Sequence, residues 1–127
     1  MALPGKQLRV FVVDDEQVIA STLAMILRGS GFDATSFVDP QEALRAAHLE
    51  APDLLISDVV MPLMTGIDLA IQVQAASPSS KVLLFSGQAT TRELLEDAGA
   101  LGHTFEIISK PVHPTELLAR IKKATAE

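Results

Sequence analysis

At 127 residues the chain has the size of one domain, and folding would bury about two thirds of its unfolded surface, which leaves no room for a second core. Its net charge is −6 and its ten Lys and Arg are spread along the sequence rather than gathered in a block, so direct binding of DNA or RNA is not expected. The composition is 48% hydrophobic with five Phe as the only aromatics and no Cys, which points to an aliphatic core and excludes disulfides and thiolate metal sites.

Residues 1–7 contain no apolar segment of signal-peptide length, and no stretch of the chain approaches a membrane span. The expectation is a single domain over 1–127 with 1–7 as a flexible lead, in the cytoplasm and without membrane contact. Leu8 to Val13 is an apolar, β-branched run interrupted only by Arg9, and reads as a buried first strand ending in Asp14-Asp15-Glu16. Val18, Ile19, Thr22, Leu23, Ile26 and Leu27 then recur at helical spacing until Gly29-Ser30-Gly31 offers a glycine for a left-handed cap. Phe32 to Phe37 predicts a short second strand. Asp39-Pro40-Gln41-Glu42 follows with an N-cap, a proline at the first helical position and an acid in the first turn of a helix carrying Ala43, Leu44 and Ala47.

Asp53 to Ser57 is a third strand, its Leu54-Leu55-Ile56 lacking the polar alternation of a half-exposed sheet, and it runs into Asp58-Val59-Val60-Met61-Pro62. Gly66 to Ala76 presents Ile67, Ala70, Ile71 and Val73 to one side of a helix closed by Ser77-Pro78. Lys81 to Phe85 is a fourth strand ending in Ser86-Gly87. Thr90 and Glu93 suit a capping box for a short helix with Leu94, Leu95 and Ala98, broken by Gly99 and Gly102. Thr104 to Ile108 is a fifth strand ending in Ser109-Lys110-Pro111. Pro114 opens a last helix with Leu117, Leu118 and Ile121 inward and Lys122 and Lys123 at its C-terminal end, where cations suit the helix dipole.

Five strands alternating with five helices through short connections predict an α/β fold, a parallel sheet with right-handed crossovers and helices on both faces. Five such units cannot close an eight-stranded barrel, so an open flavodoxin-like sheet of order 2-1-3-4-5 is the natural solution. The strand ends of that sheet share one edge, where ligands bind in open α/β folds. Asp14 and Asp15 follow the first strand, Asp58 the third, Ser86 the fourth and Lys110 the fifth. Taken singly, Asp58 could cap a loop, Asp14-Asp15 could be a solvated turn and Lys110 an exposed charge. Together they predict a site: carboxylates crowded on adjacent strands make sense around a hard cation, and Mg²⁺ is the candidate because it keeps waters and an open side for a phosphoryl oxygen. Ser86 and Lys110 could hold further phosphoryl oxygens, and Asp58 then stands where a carboxylate can attack phosphorus. His48, His103 and His113 have no ligand spacing to one another, and Met25, Met61 and Met64 read as core or loop packing.

The elements Val-Val-Asp14-Asp15-Glu16, Asp58-Val-Val-Met61-Pro62-x-x-x-Gly66, Ser86-Gly87 and Lys110-Pro111, in this order, resemble the receiver domain of two-component response regulators over essentially the whole chain. The resemblance implies Asp58 as phosphoacceptor, Asp15 as direct Mg²⁺ ligand, Asp14 as a ligand through water, and the backbone carbonyl of Val60 as a further ligand. It implies that Ser86 follows the phosphoryl group on activation, that Lys110 pairs with it, and that the Lys110-Pro111 bond is cis. The partners it implies are a histidine kinase or histidine phosphotransfer protein upstream, and downstream a separate protein or an effector domain outside this chain.

Two departures bear on mechanism. Receivers usually carry Tyr or Phe three residues before the lysine, a position held here by Ile107, with Phe105 the nearest aromatic on the same strand face. Val60 and Gln88, two residues beyond Asp58 and Ser86, flank the site, and an apolar Val60 offers water little help, so a long-lived phosphoryl group is expected. The competing readings are a haloacid-dehalogenase-like Mg²⁺-dependent phosphatase, which would place an acid/base Asp where Val60 stands, and a degenerate scaffolding receiver, suggested by Ile107.

Overall fold

The computed structural model describes residues 7–87, 91–100, 102, 105–111 and 113–125. Among these, the strands are β1 (Arg9–Val13), β2 (Asp33–Phe37), β3 (Leu54–Asp58), β4 (Lys81–Ser86) and β5 (Glu106–Ser109). The helices are α1 (Gln17–Gly29), α2 (Pro40–Leu49), α3 (Gly66–Ala76), α4 (Thr91–Ala100) and α5 (Pro114–Thr125), alternating with the strands along the chain. All strand pairs are parallel and their order is β2-β1-β3-β4-β5, as the alternation of elements predicts. Only Gln7 of the expected lead falls within the described residues; Thr90 of the expected capping box, His103 and Thr104 lie outside them.

Strand alternation divides the core into two layers. Phe11, Val13, Leu55 and Leu84 face α2, α3 and α4, where Ala43, Ala47, Ile67, Leu69, Ala70, Val73 and Ala98 meet them. Val10, Val12, Leu54, Ile56, Leu83, Phe85 and Ile108 face Leu23, Ala24 and Leu27 of α1 and Leu117 and Ile121 of α5. The central strand β3 is buried at every position, the burden its uninterrupted apolar run requires.

Local chemistry sets the ends of the elements. The Asp39 carboxylate accepts from the Gln41 N–H ahead of Pro40, and the Thr65 hydroxyl accepts from the Asp68 N–H at the start of α3. After α1, Gly31 has φ +97° and the chain folds back through Gly31 N–H to Arg28 C=O and Phe32 N–H to Leu27 C=O. Three expectations need correction. The inward face of α1 is Ala20, Leu23, Ala24 and Leu27, because small Ala side chains let the helix approach the sheet, and Val18 is left 78% exposed. Met25 is exposed rather than packed. Helix α4 passes through Gly99 to Ala100, and the left-handed turn falls at Gly102, with φ +90° and its N–H on the Gly99 carbonyl.

Candidate functional site

Parallel register builds the site from residues far apart in sequence. Val13 pairs with Ser57 on β3, so the next step along both strands sets Asp14 beside Asp58. Asp58 itself is the last residue of β3 and pairs with Phe85, which puts Ser86 one step beyond it. Ser86 in turn pairs with Ser109, and the Lys110 N–H donates to the Ser86 carbonyl at 3.0 Å, so Lys110 leaves the sheet at the same rim.

The loop after β3 is shaped by one glycine. Gly66 N–H donates to the Val59 carbonyl, and a Cβ at Gly66 would overlap the carbonyl oxygen of Asp58 and crowd the Ser57 hydroxyl. That hydroxyl, fully buried, donates to the same Asp58 carbonyl at 2.9 Å. The backbone bearing Asp58 is thus clamped from below by Ser57 and from the side by the first turn of α3, which keeps the carboxylate at the rim. Lys110-Pro111 is a cis peptide.

Carboxylate oxygens of Asp14, Asp15 and Asp58 lie within 4.8 Å of one another, with Asp14 and Asp58 buried and Asp15 exposed. Lys110 Nζ bridges two of them, 3.4 Å from Asp14 Oδ2 and 3.3 Å from Asp58 Oδ2. Burial raises the Asp58 pKa above the ordinary carboxylate value; Lys110 opposes that shift and repulsion from Asp14 and Asp15 reinforces it. For Lys110, burial pulls downward, but attraction to Asp14 and Asp58 outweighs it and the net shift is upward. An all-oxygen, all-carboxylate donor set of this kind suits a hard cation such as Mg²⁺. One ammonium against three carboxylates leaves the charge for such an ion to neutralise.

A polar pocket of about 340 Å³ opens onto this cluster, lined by Asp15, Glu16, Asp58, Val60, Gly87 and Lys110. Asp58, Asp15 and Lys110 are therefore brought together as the strand ends predict, with Val60, named from the resemblance, on the same pocket wall and Asp14 buried. Ser86 is buried at the end of β4, and Gly87 rather than Ser86 lines the pocket. Ile107 is away from the pocket, packed with Phe105 against the layer beneath α2, α3 and α4, so the two do share a face. Gln88 lies outside the described residues. His48 is exposed near the end of α2, and His113 is exposed with Nδ1 accepting from the Thr115 N–H. Glu16 is the lining residue that strand-end reasoning missed; its position directly after Asp14-Asp15 was the available signal. A larger apolar groove adjoins the site between α1 and Pro111, lined by Val18, Ile19, Thr22, Leu23 and Phe85, with Lys110 at its edge.

An open parallel sheet of order 2-1-3-4-5, with its polar pocket at the carboxyl rim, defines a flavodoxin-like α/β domain. The chain belongs to the response regulator receiver domain family, whose pattern matches residues 10–122. It is 36% identical over 114 residues to the DNA-binding response regulator MtrA of Mycobacterium tuberculosis, a match covering 90% of this chain and 49% of MtrA. It is 32% identical over 120 residues to the probable transcriptional regulatory protein TcrX of the same species, covering 93% of this chain and 50% of TcrX. The chain thus spans about half the length of the curated relatives it matches. Among solved structures, the chemotaxis protein CheY4 of Vibrio cholerae superposes with a TM-score of 0.80 at 26% identity, covering 94% of this chain and 99% of that one. The domain is accordingly a signalling module of two-component systems. No described helix is long and apolar enough to cross a membrane.

Proposed function

We propose that Asp58 is the phosphoacceptor of this receiver domain and that it takes its phosphoryl group from a phosphohistidine on a histidine kinase or histidine phosphotransfer protein. The observation that carries this reading is the position of the Asp58 carboxylate, at the end of β3 on the wall of an open polar pocket, with Lys110 Nζ 3.3 Å away. In the transfer an Asp58 carboxylate oxygen forms a bond to phosphorus as the phosphorus–nitrogen bond of the donor breaks, and the electron pair stays with the imidazole nitrogen. Lys110 then exchanges its contact with the Asp58 carboxylate for the new phosphoryl oxygens, and the Ser86 hydroxyl follows the phosphoryl group. Asp14, Asp15 and Asp58, with the Val60 carbonyl, would hold Mg²⁺, which when bound supplies positive charge to the phosphoryl oxygens.

On this reading the domain acts in the cytoplasm and catalyses only its own phosphorylation and slow dephosphorylation. Its output passes to a partner protein or to an effector segment outside this chain. The relatives described as DNA-binding response regulators suggest a transcriptional output. Val60, on the pocket wall, has no group to activate water, so the phosphoryl group persists.

Incubation with acetyl phosphate and Mg²⁺, followed by mass spectrometry of the intact protein, tests the reading. One phosphoryl group per chain is expected in the wild type and none in Asp58→Asn. Continuous release of phosphate without accumulated label would favour a phosphatase, and absence of label a scaffold. Loss of label within seconds from isolated phosphoprotein would rule out the protective role of Val60.

A further inference from the structure

Glu16 serves the fold through its backbone, its carbonyl accepting the Ala20 N–H at 3.1 Å, and not through its side chain. It occupies the N-cap of α1, where Ser, Thr, Asp or Asn normally accept a backbone N–H, yet its side chain makes no capping bond. The turn is secured instead by Asp14, whose Oδ1 accepts the Glu16 N–H at 2.9 Å and so fixes the Glu16 backbone beside the site. The Glu16 side chain is exposed and lines the pocket together with Asp15, Asp58 and Lys110. Among the described residues, the charged groups on that wall are three carboxylates and one ammonium, and the ammonium is already engaged by Asp58 and by Asp14. A divalent cation on Asp14, Asp15 and Asp58, together with Lys110, would balance those three charges and leave the Glu16 charge for an incoming phosphodonor to pass.

We propose that Glu16 is a specificity-determining residue that discriminates against small, highly charged anionic phosphodonors at the mouth of the pocket. This inference rests on the phosphoacceptor reading of Asp58. Repulsion between unit charges a few ångströms apart scales with the charge of the donor and is screened by salt. Acetyl phosphate, a dianion near neutral pH, is held back more than phosphoramidate, a monoanion. A phosphohistidine delivered on a protein is held back least, because its approach is governed by the whole docking surface rather than by the charge of one small ion.

The test is the second-order rate of Asp58 phosphorylation in wild type and Glu16→Gln at saturating Mg²⁺, with acetyl phosphate and with phosphoramidate. The substitution is expected to raise the acetyl phosphate rate about threefold at low salt and the phosphoramidate rate by less, with both gains vanishing near about 1 M salt. Glu16→Lys, which doubles the change in charge, is expected to raise the acetyl phosphate rate about tenfold. Equal changes for the two donors, no change for either, or a gain that survives high salt would each overturn the role of Glu16 and leave the phosphoacceptor reading standing. Wild-type protein that takes no label from either donor would overturn both.

Discussion

Leu63 and Asp58 each carry a local cost in the folded state. Leu63, in the loop after β3, has φ +73° and is 89% exposed, so it bears the steric cost of a left-handed backbone without gaining burial. Leu63→Gly is expected to leave stability unchanged or raise it by up to about 1 kcal/mol, the relief of strain being partly offset by glycine's unfolded-state entropy; urea unfolding measures this. Asp58 has its pKa raised from an ordinary 3.8, chiefly by burial, so the folded protein binds that proton more readily than the unfolded chain. The sign follows: above the folded pKa, ionised Asp58 costs stability, and the cost fades as pH falls toward the unfolded value. In chelator, Asp58→Asn is therefore expected to melt higher than wild type at pH near 7, with the gap closing as pH falls to about 4. A gap that stays constant with pH would mean that charge is not the cause.

At the scale of elements, the joint between β3 and α3 is the most constrained place in the fold. The atoms that a Cβ on Gly66 would meet are backbone atoms of Asp58, which cannot swing away as a side-chain tip can. Gly66→Ala is expected to cost about 1–3 kcal/mol in urea unfolding and to slow phosphorylation, since relief requires moving the Asp58 backbone. Helix α5 is held differently, through Leu117 and Ile121, both fully buried against β4 and β5. Leu117→Ala is expected to cost about 2–5 kcal/mol with no effect on the relative rates of different phosphodonors, because it leaves the pocket lining alone. The helix ends were legible in the sequence where a single residue does the work, as with Asp39-Pro40 before α2 and Gly31 after α1. Of the two glycines expected to break α4, Gly102 does form the turn, while the helix runs through Gly99 because one glycine weakens a helix by about 1 kcal/mol without ending it.

At the scale of the whole molecule, the β1, β3 and β5 ends are coupled through one ammonium, Lys110, which spans Asp14 and Asp58. A cation bound to the three carboxylates would stabilise the folded state by mass action, by about 2.7 kcal/mol at a hundredfold excess over its dissociation constant. Mg²⁺ titration followed by thermal melting is expected to raise the midpoint of the wild type and to do so far less in Asp58→Asn. Monovalent salt at equal ionic strength should not substitute, because screening acts on all charges while coordination needs this donor set.

The sequence by itself determined the class of fold and the chemistry at the strand ends, because both are written in local signals. Uninterrupted apolar runs mark strands covered on both faces, and the polar residues that end them must fall on one rim of a parallel sheet. Asp14, Asp15, Asp58 and Lys110 could be named on that basis alone. Tertiary structure decided what depends on register and close approach: the contact of Lys110 with Asp14 across 96 positions, the clamp of Gly66 on the Asp58 carbonyl, the inward face of α1, and the presence of Glu16 on the pocket wall. Those features arise where separate strands and helices meet, and spacing along the chain carries no information about how closely they do so.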